Sequence, residues 1–169
     1  QTTERDEFIY HEMLSHPPIL GHGAARNVLI VGGGDGGMLR RVLMHPDIEE
    51  VVVVEIDKKV INLCRTYLPS ICGGAFDDTR TKVVIGDGAR YVAKCRRQFD
   101  IIIVDSPDPV GPAKTLFEKK FYSDCKSCLE PSGILVTQNG VPFFQGIELT
   151  STMQNLRTLF RDATCYLAP

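Results

Sequence analysis

The run Val28-Leu29-Ile30-Val31, leading into Gly32-Gly33-Gly34-Asp35-Gly36-Gly37, constrains this chain more than any other stretch. Four apolar residues, three of them β-branched, predict a buried strand. The glycines predict a tight turn into a helix, where the backbone tolerates positive φ and comes close to a ligand. The free N–H groups of that helix's first turn would face whatever lies above the strand end. Glycine-rich turns of this kind serve many nucleotides, and a tight turn without a ligand is the plain alternative. Asp35 narrows the choice. A carboxylate inside the turn would repel a pyrophosphate, so the turn suits a nucleoside without phosphates or a ligand carrying positive charge.

The rest of the chain alternates strand and helix around this unit. Thr3, three residues before Asp6, gives a capping-box-like start to a short amphipathic helix carrying Phe8, Ile9, Tyr10, His11 and Met13, which His16-Pro17-Pro18 is expected to stop. Read alone, Tyr10 is a packed aromatic and His11 a surface imidazole. The apolar run 51–54 predicts a second strand buried on both faces, with Glu55 at its carboxyl end. Glu55 stands about 20 residues beyond the glycines, the spacing of an acidic residue that accepts hydrogen bonds from ribose hydroxyls. Asp57 reads instead as the cap of the following helix.

Residues 82–85 predict a third strand ending in Gly86-Asp87-Gly88, and residues 99–104 a fourth. The fourth ends in Asp105-Ser106-Pro107-Asp108-Pro109-Val110-Gly111-Pro112, an acidic loop stiffened by prolines. A loop at 72–81, a helix over 116–129, a strand over 133–138, a loop from 139 to 146, a last helix with Leu149, Met153, Leu156 and Phe160, and a sixth strand over 163–167 complete the expectation.

This alternation implies an α/β fold with one open, mostly parallel sheet covered by helices on both faces. Ligands in such sheets bind outside the carboxyl ends of the strands, near the point where strand order reverses. Four strand ends carry Asp35, Glu55, Asp87 and the pair Asp105 and Asp108. Such a cluster could hold Mg²⁺ or Ca²⁺ through oxygen ligands. The spacing of Glu55 and Asp87 favours a nucleoside, which leaves the other carboxylates to face a cationic ligand.

Composition removes other classes. A formal net charge of −2 leaves no basic footprint for nucleic acid or an anionic membrane surface. The apolar runs are too short to span a bilayer, and no signal peptide is expected from the opening residues. The six cysteines lack a disulfide-scaffold rhythm. Cys125 and Cys128 form a CxxC without a second ligand pair and read as helical core positions, so a reduced, cytoplasmic protein is expected. At 169 residues the chain suits a single domain, 1–169; its start at Gln1 and stop at Pro169 directly after an expected strand read as part of a longer protein.

The segment 1–8 with Tyr10-His11-Glu12-Met13, the GGGDGG turn, the acidic second strand, Gly86-Asp87-Gly88 and the loop from Asp105 to Pro112 together closely resemble spermidine synthases, the polyamine aminopropyltransferases. The resemblance runs in order along essentially the whole chain. It implies a Rossmann-like, methyltransferase-type doubly wound fold and transfer of an aminopropyl group from decarboxylated S-adenosylmethionine to putrescine. It also implies no metal, no cofactor beyond that co-substrate, and a homodimer or homotetramer.

By the same resemblance Glu55 holds the ribose hydroxyls, Asp87 with Gly88 meets the adenine, and Gly32 and Gly34 belong to the nucleoside-binding turn. Asp35 binds the amine end of the aminopropyl group, Tyr10 and His11 line the polyamine groove, and Asp108 orients the attacking amine. Asp105 is the proton acceptor, and Pro112 belongs to a loop closing over the site. Three departures stand out: the family's amino-terminal β domain and its carboxyl-terminal segment are expected to be missing from 1–169, and Pro107 replaces a small hydroxyl residue. The alternatives are a putrescine N-methyltransferase using S-adenosylmethionine and a catalytically inactive, nucleoside-binding relative. Asp35 argues against an ordinary methyltransferase, because it would repel the methionine carboxylate.

Overall fold

Each inner strand is apolar on both faces, and the consequence is a sheet buried between two layers of helices. A computed structural model describes residues 3–106, 111–139 and 146–167. The strands are β1 (Asn27–Gly32), β2 (Glu50–Glu55), β3 (Thr81–Ile85), β4 (Phe99–Asp105) and β5 (Leu129–Thr137). They lie in the order β3-β2-β1-β4-β5, every pairing parallel. The helices are α1 (Glu7–His22), α2 (Gly37–Leu43), α3 (Lys58–Tyr67), α4 (Pro69–Cys72), α5 (Gly88–Lys94), α6 (Lys119–Ser127) and α7 (Gly146–Leu159).

Successive strand residues point to opposite faces. Val28, Ile30, Val51, Val53, Ile101 and Ile103 therefore pack with Leu14, Met38, Leu39 and Phe76 on one side. Leu29, Val31, Val52, Val54, Ile102 and Val104 pack with Val92, Phe121, Tyr122 and Cys125 on the other. Burial of each such side chain contributes about 1.5–3 kcal/mol. Cys125 and Cys128 are both in this second core, as the sequence predicts, and all six cysteines are free. Among the described residues no helix is long and apolar enough to cross a membrane.

Several local expectations are corrected. α1 does not stop at Pro17-Pro18 but runs on to His22 and ends where Gly23 adopts a left-handed conformation. Pro17 has no N–H to offer the Met13 carbonyl four residues back; that carbonyl accepts the Tyr166 hydroxyl at 2.7 Å instead. The expected helix over 116–129 divides into a 3-10 helix, Gly111–Phe117, and α6, because Leu129 already pairs with Phe99 in the sheet. The loop at 72–81 contains a 3-10 turn, Ala75–Asp77. Residues 163–167 form no strand, and the sheet of described residues has five strands.

Candidate active site

β1 and β4 are neighbours although β2 and β3 separate them in the chain, so strand order reverses between them. Gly32 and Asp105 face each other in register at this point, and the Gly33 N–H donates to the Asp105 carbonyl at 3.1 Å. The β1–α2 turn and the acidic end of β4 are thus one structure. Asp35 comes from that turn, with Oδ1 accepting from the Gly37 N–H at 2.8 Å.

α1 packs against α2, β4 and β5 and delivers two aromatic residues to the same place. The Tyr10 hydroxyl donates to Asp105 Oδ1 at 2.6 Å and lies 3.3 Å from Gln138 Oε1. His11 is fully buried, with Nδ1 2.5 Å from Glu7 Oε2 and Nε2 3.6 Å from Asp35 Oδ2. Arg41 of α2 completes the support, its guanidinium 3.3 Å from both Glu7 and Glu12. The surface imidazole expected from the bare sequence is therefore a buried, ion-paired one.

These contacts push the two carboxylates apart in acidity. Burial raises the Asp105 pKa to about 6, the nearby Asp35 charge adds to the rise, and the Tyr10 hydrogen bond opposes it only in part. Asp35 is also penalised by burial, yet pairing with His11 and the Gly37 N–H hold it below the usual carboxylate value. Burial alone would lower the His11 pKa, but Asp35, Glu7 and Asp105 around the ring hold it above 6.5. Burial and the Asp105 carboxylate raise the Tyr10 pKa, so its hydroxyl stays a donor.

Glu55 ends β2 and is buried, with Oε1 accepting from the Asp57 N–H at 3.0 Å. Its Oε2 lies against Gly34, where an added Cβ would stand 2.7 Å away, so the turn and this carboxylate fit only because residue 34 has no side chain. Asp57 caps α3 through the Lys59 N–H, as expected. Asp87 follows β3 and also acts as a helix cap, accepting from the Arg90 N–H at 3.1 Å, a role the sequence reading did not assign. Gly88 opens α5 directly against Val31 of β1. Pro112 falls within the 3-10 helix Gly111–Phe117, whereas Pro107 and Asp108 lie outside the described residues.

The structure thus brings Gly32, Gly34, Asp35, Glu55 and Asp105 together at the carboxyl ends of β1, β2 and β4, with Tyr10 and His11 above them. Sequence reasoning missed Glu7, Arg41 and Gln138. Gln138 alone carried a usable signal, because it directly follows β5 and so occupies another carboxyl strand end. His11, Asp35 and Asp105 also place potential ligand atoms within 4.8 Å of one another.

Comparison with known proteins agrees with this geometry. The family model of the spermine/spermidine synthase domain matches residues 7–169. A polyamine aminopropyltransferase of Ruegeria sp. (strain TM1040) is 57% identical over 168 residues, covering 99% of this chain and 59% of the relative. Polyamine aminopropyltransferase 1 of Pseudomonas aeruginosa is 55% identical with the same coverage. A crystal structure of a spermidine synthase in complex with the transition-state analogue AdoDATO superposes with a TM-score of 0.92 at 41% identity, over 96% of this chain and 55% of that one. The spermidine synthase of Thermotoga maritima gives a TM-score of 0.89 at 41% identity, over 96% of this chain and 54% of that one. The chain spans 59% of the length of both curated relatives. With the strand-end carboxylates, the parallel sheet and the profile match all in agreement, the chain belongs to the spermine/spermidine synthase family.

Proposed function

We propose that the protein transfers an aminopropyl group from decarboxylated S-adenosylmethionine to putrescine, giving spermidine and methylthioadenosine. The observation that carries this reading is the pair Asp35 and Asp105, two carboxylates at one strand crossing with opposite pKa shifts. Environments that separate two titratable groups in this way assign one to hold charge and the other to move a proton. Asp35 stays ionised and binds the aminopropyl ammonium. Asp105, near neutrality, takes a proton from the attacking amine, whose Lys-like pKa is near 10 and which is otherwise charged.

The amine nitrogen then bonds to the carbon beside the sulfonium, the C–S bond breaks, and its electron pair returns to sulfur as a neutral thioether. The proton ends on Asp105. The sulfonium is its own leaving group, so the protein's task is positioning and charge compensation. Glu55 holds the ribose hydroxyls, Asp87 and Gly88 meet the adenine, and Gly32 and Gly34 let the backbone approach the nucleoside. Tyr10 orients Asp105, His11 supports Asp35, Asp108 holds the amine, and Pro112 belongs to the closing loop. A cytoplasmic location and a homodimer or homotetramer rest on the family alone. The names borne by the relatives favour aminopropyl transfer over methyl transfer.

The donor tests this reading. Decarboxylated S-adenosylmethionine is expected to bind full-length protein at least about tenfold, or about 1.4 kcal/mol, more tightly than S-adenosylmethionine, because Asp35 repels the added carboxylate. Equal affinities in calorimetry contradict the assignment of Asp35. A second expectation concerns the ribose. Glu55→Gln should weaken methylthioadenosine binding by about 1.5–3 kcal/mol, the range for hydrogen bonds to a charged group, with the melting temperature nearly unchanged. Unchanged affinity would leave Glu55 as a carboxylate that only accepts the Asp57 N–H.

A further inference from the structure

The contacts of His11 do more than line a groove. Its ring is sealed from solvent, and charged groups reach it from three elements: Glu7 from its own helix, Asp35 from the β1–α2 turn and Asp105 from β4. Arg41 stands behind Glu7, its guanidinium 3.3 Å from Glu7 Oε1. The two ring nitrogens are unequal. Nδ1 is in a short contact with Glu7, whereas Nε2 is buried without a hydrogen-bond partner and faces Asp35 Oδ2 across 3.6 Å.

Asp35 is unequal in the same sense. Oδ1 is tied to the Gly37 N–H, so Oδ2 remains for a ligand, and the Asp35 side chain is 27% exposed where that of His11 is 1% exposed. A cationic ligand can reach the Asp35 carboxylate; it reaches the imidazolium only through that carboxylate. His11 and the ligand therefore compete for one oxygen.

We propose that His11 is the resident counter-ion of Asp35 and that a ligand ammonium taking Asp35 expels the Nε2 proton of His11 to solvent, making binding of the cationic donor proton-linked. This rests on the reading that Asp35 receives the donor's ammonium. The proton balance is simple. Before binding, the imidazolium carries both N–H groups; afterwards Glu7 retains the Nδ1–H, the ring is neutral, and one positive charge has replaced another beside Asp35. Burial opposes it, but Asp35, Glu7 and Asp105 raise the pKa of free His11, which fits a ring charged at rest. The sign follows: donor affinity rises with pH between the lower, bound pKa of His11 and the higher, free one, by at most roughly tenfold per pH unit.

Calorimetry of the full-length protein near pH 7, in two buffers of different ionisation enthalpy, reads the released proton directly. Decarboxylated S-adenosylmethionine is expected to release up to one proton, methylthioadenosine, which lacks the ammonium, close to none, and His11→Gln to abolish the difference. ¹⁵N NMR of the unmutated protein gives a readout that no folding defect can obscure: on donor binding the His11 ring should pass from imidazolium to the Nδ1–H tautomer. Equal release with both ligands, release that survives His11→Gln, or an imidazolium that persists in the complex overturns the inference and leaves the proposed function standing. Failure of the decarboxylated donor to bind at all overturns both.

Discussion

Replacement of Asp105 by asparagine is expected to lower kcat by about 10²–10⁴-fold, the usual cost of losing a positioned base, with little change in nucleoside binding. The amide can still accept the Tyr10 hydrogen bond, so the strand end keeps its shape. The pH profile adds a signature. With Asp105 at about 6, the proposed reaction should slow in the unmodified protein as pH falls through that value, because a protonated carboxyl cannot accept the amine's proton. Asp105→Asn should lack that acidic limb and recover in part at alkaline pH, where more amine arrives neutral. On the proposed reading, in which Asp108 holds the amine, Asp108→Asn should instead raise the KM for putrescine. Alkaline rescue of Asp108→Asn, with Asp105→Asn inactive throughout, would exchange the two roles.

Among the described glycines, Gly32→Ala should be the most damaging methyl addition. Gly32 has φ +90°, in the left-handed region, and an added Cβ would stand 1.9 Å from the Asp105 carbonyl oxygen. That oxygen is backbone and already accepts the Gly33 N–H, so it cannot swing aside. The clash would force β1 and β4 apart at the crossing. A loss of about 3–5 kcal/mol is expected, read as a large fall in melting temperature. Gly21→Ala provides the opposite sign. Gly21 lies inside α1 with open space where its Cβ would go, and the change should stabilise by about 0.5–1 kcal/mol. A Gly32→Ala protein that melts with its parent would refute the close approach.

How much of this could be read from the sequence depended on how local the cause was. β1, β2 and β4 announce themselves because a parallel strand covered on both faces must be apolar throughout, and their order places Asp35, Glu55 and Asp105 at carboxyl ends. Asp57 is legible for the same reason, since a helix cap acts within a few residues. Two of the failures share a long-range cause. α1 continues through Pro17-Pro18 because Tyr166, far along the chain, satisfies the Met13 carbonyl. The helix predicted over 116–129 ends early because Leu129 finds Phe99.

The site divides along the same line. Strand-end carboxylates are visible in one dimension, but Gln138 matters only because Tyr10 reaches it, and Arg41 only because α2 lies against α1. Glu7 is separated from His11 by one helical turn, yet its importance depends on burial, which the polar pattern of that turn does not reveal. His11 itself reads as a surface imidazole until the fold encloses it.

The most direct test of the central claim is mass spectrometry of the products formed by full-length protein given putrescine with each donor in turn. Aminopropyl transfer predicts spermidine and methylthioadenosine from decarboxylated S-adenosylmethionine, and no N-methylputrescine from S-adenosylmethionine. N-methylputrescine with S-adenosylmethionine, and no spermidine with the decarboxylated donor, would contradict the proposed reaction.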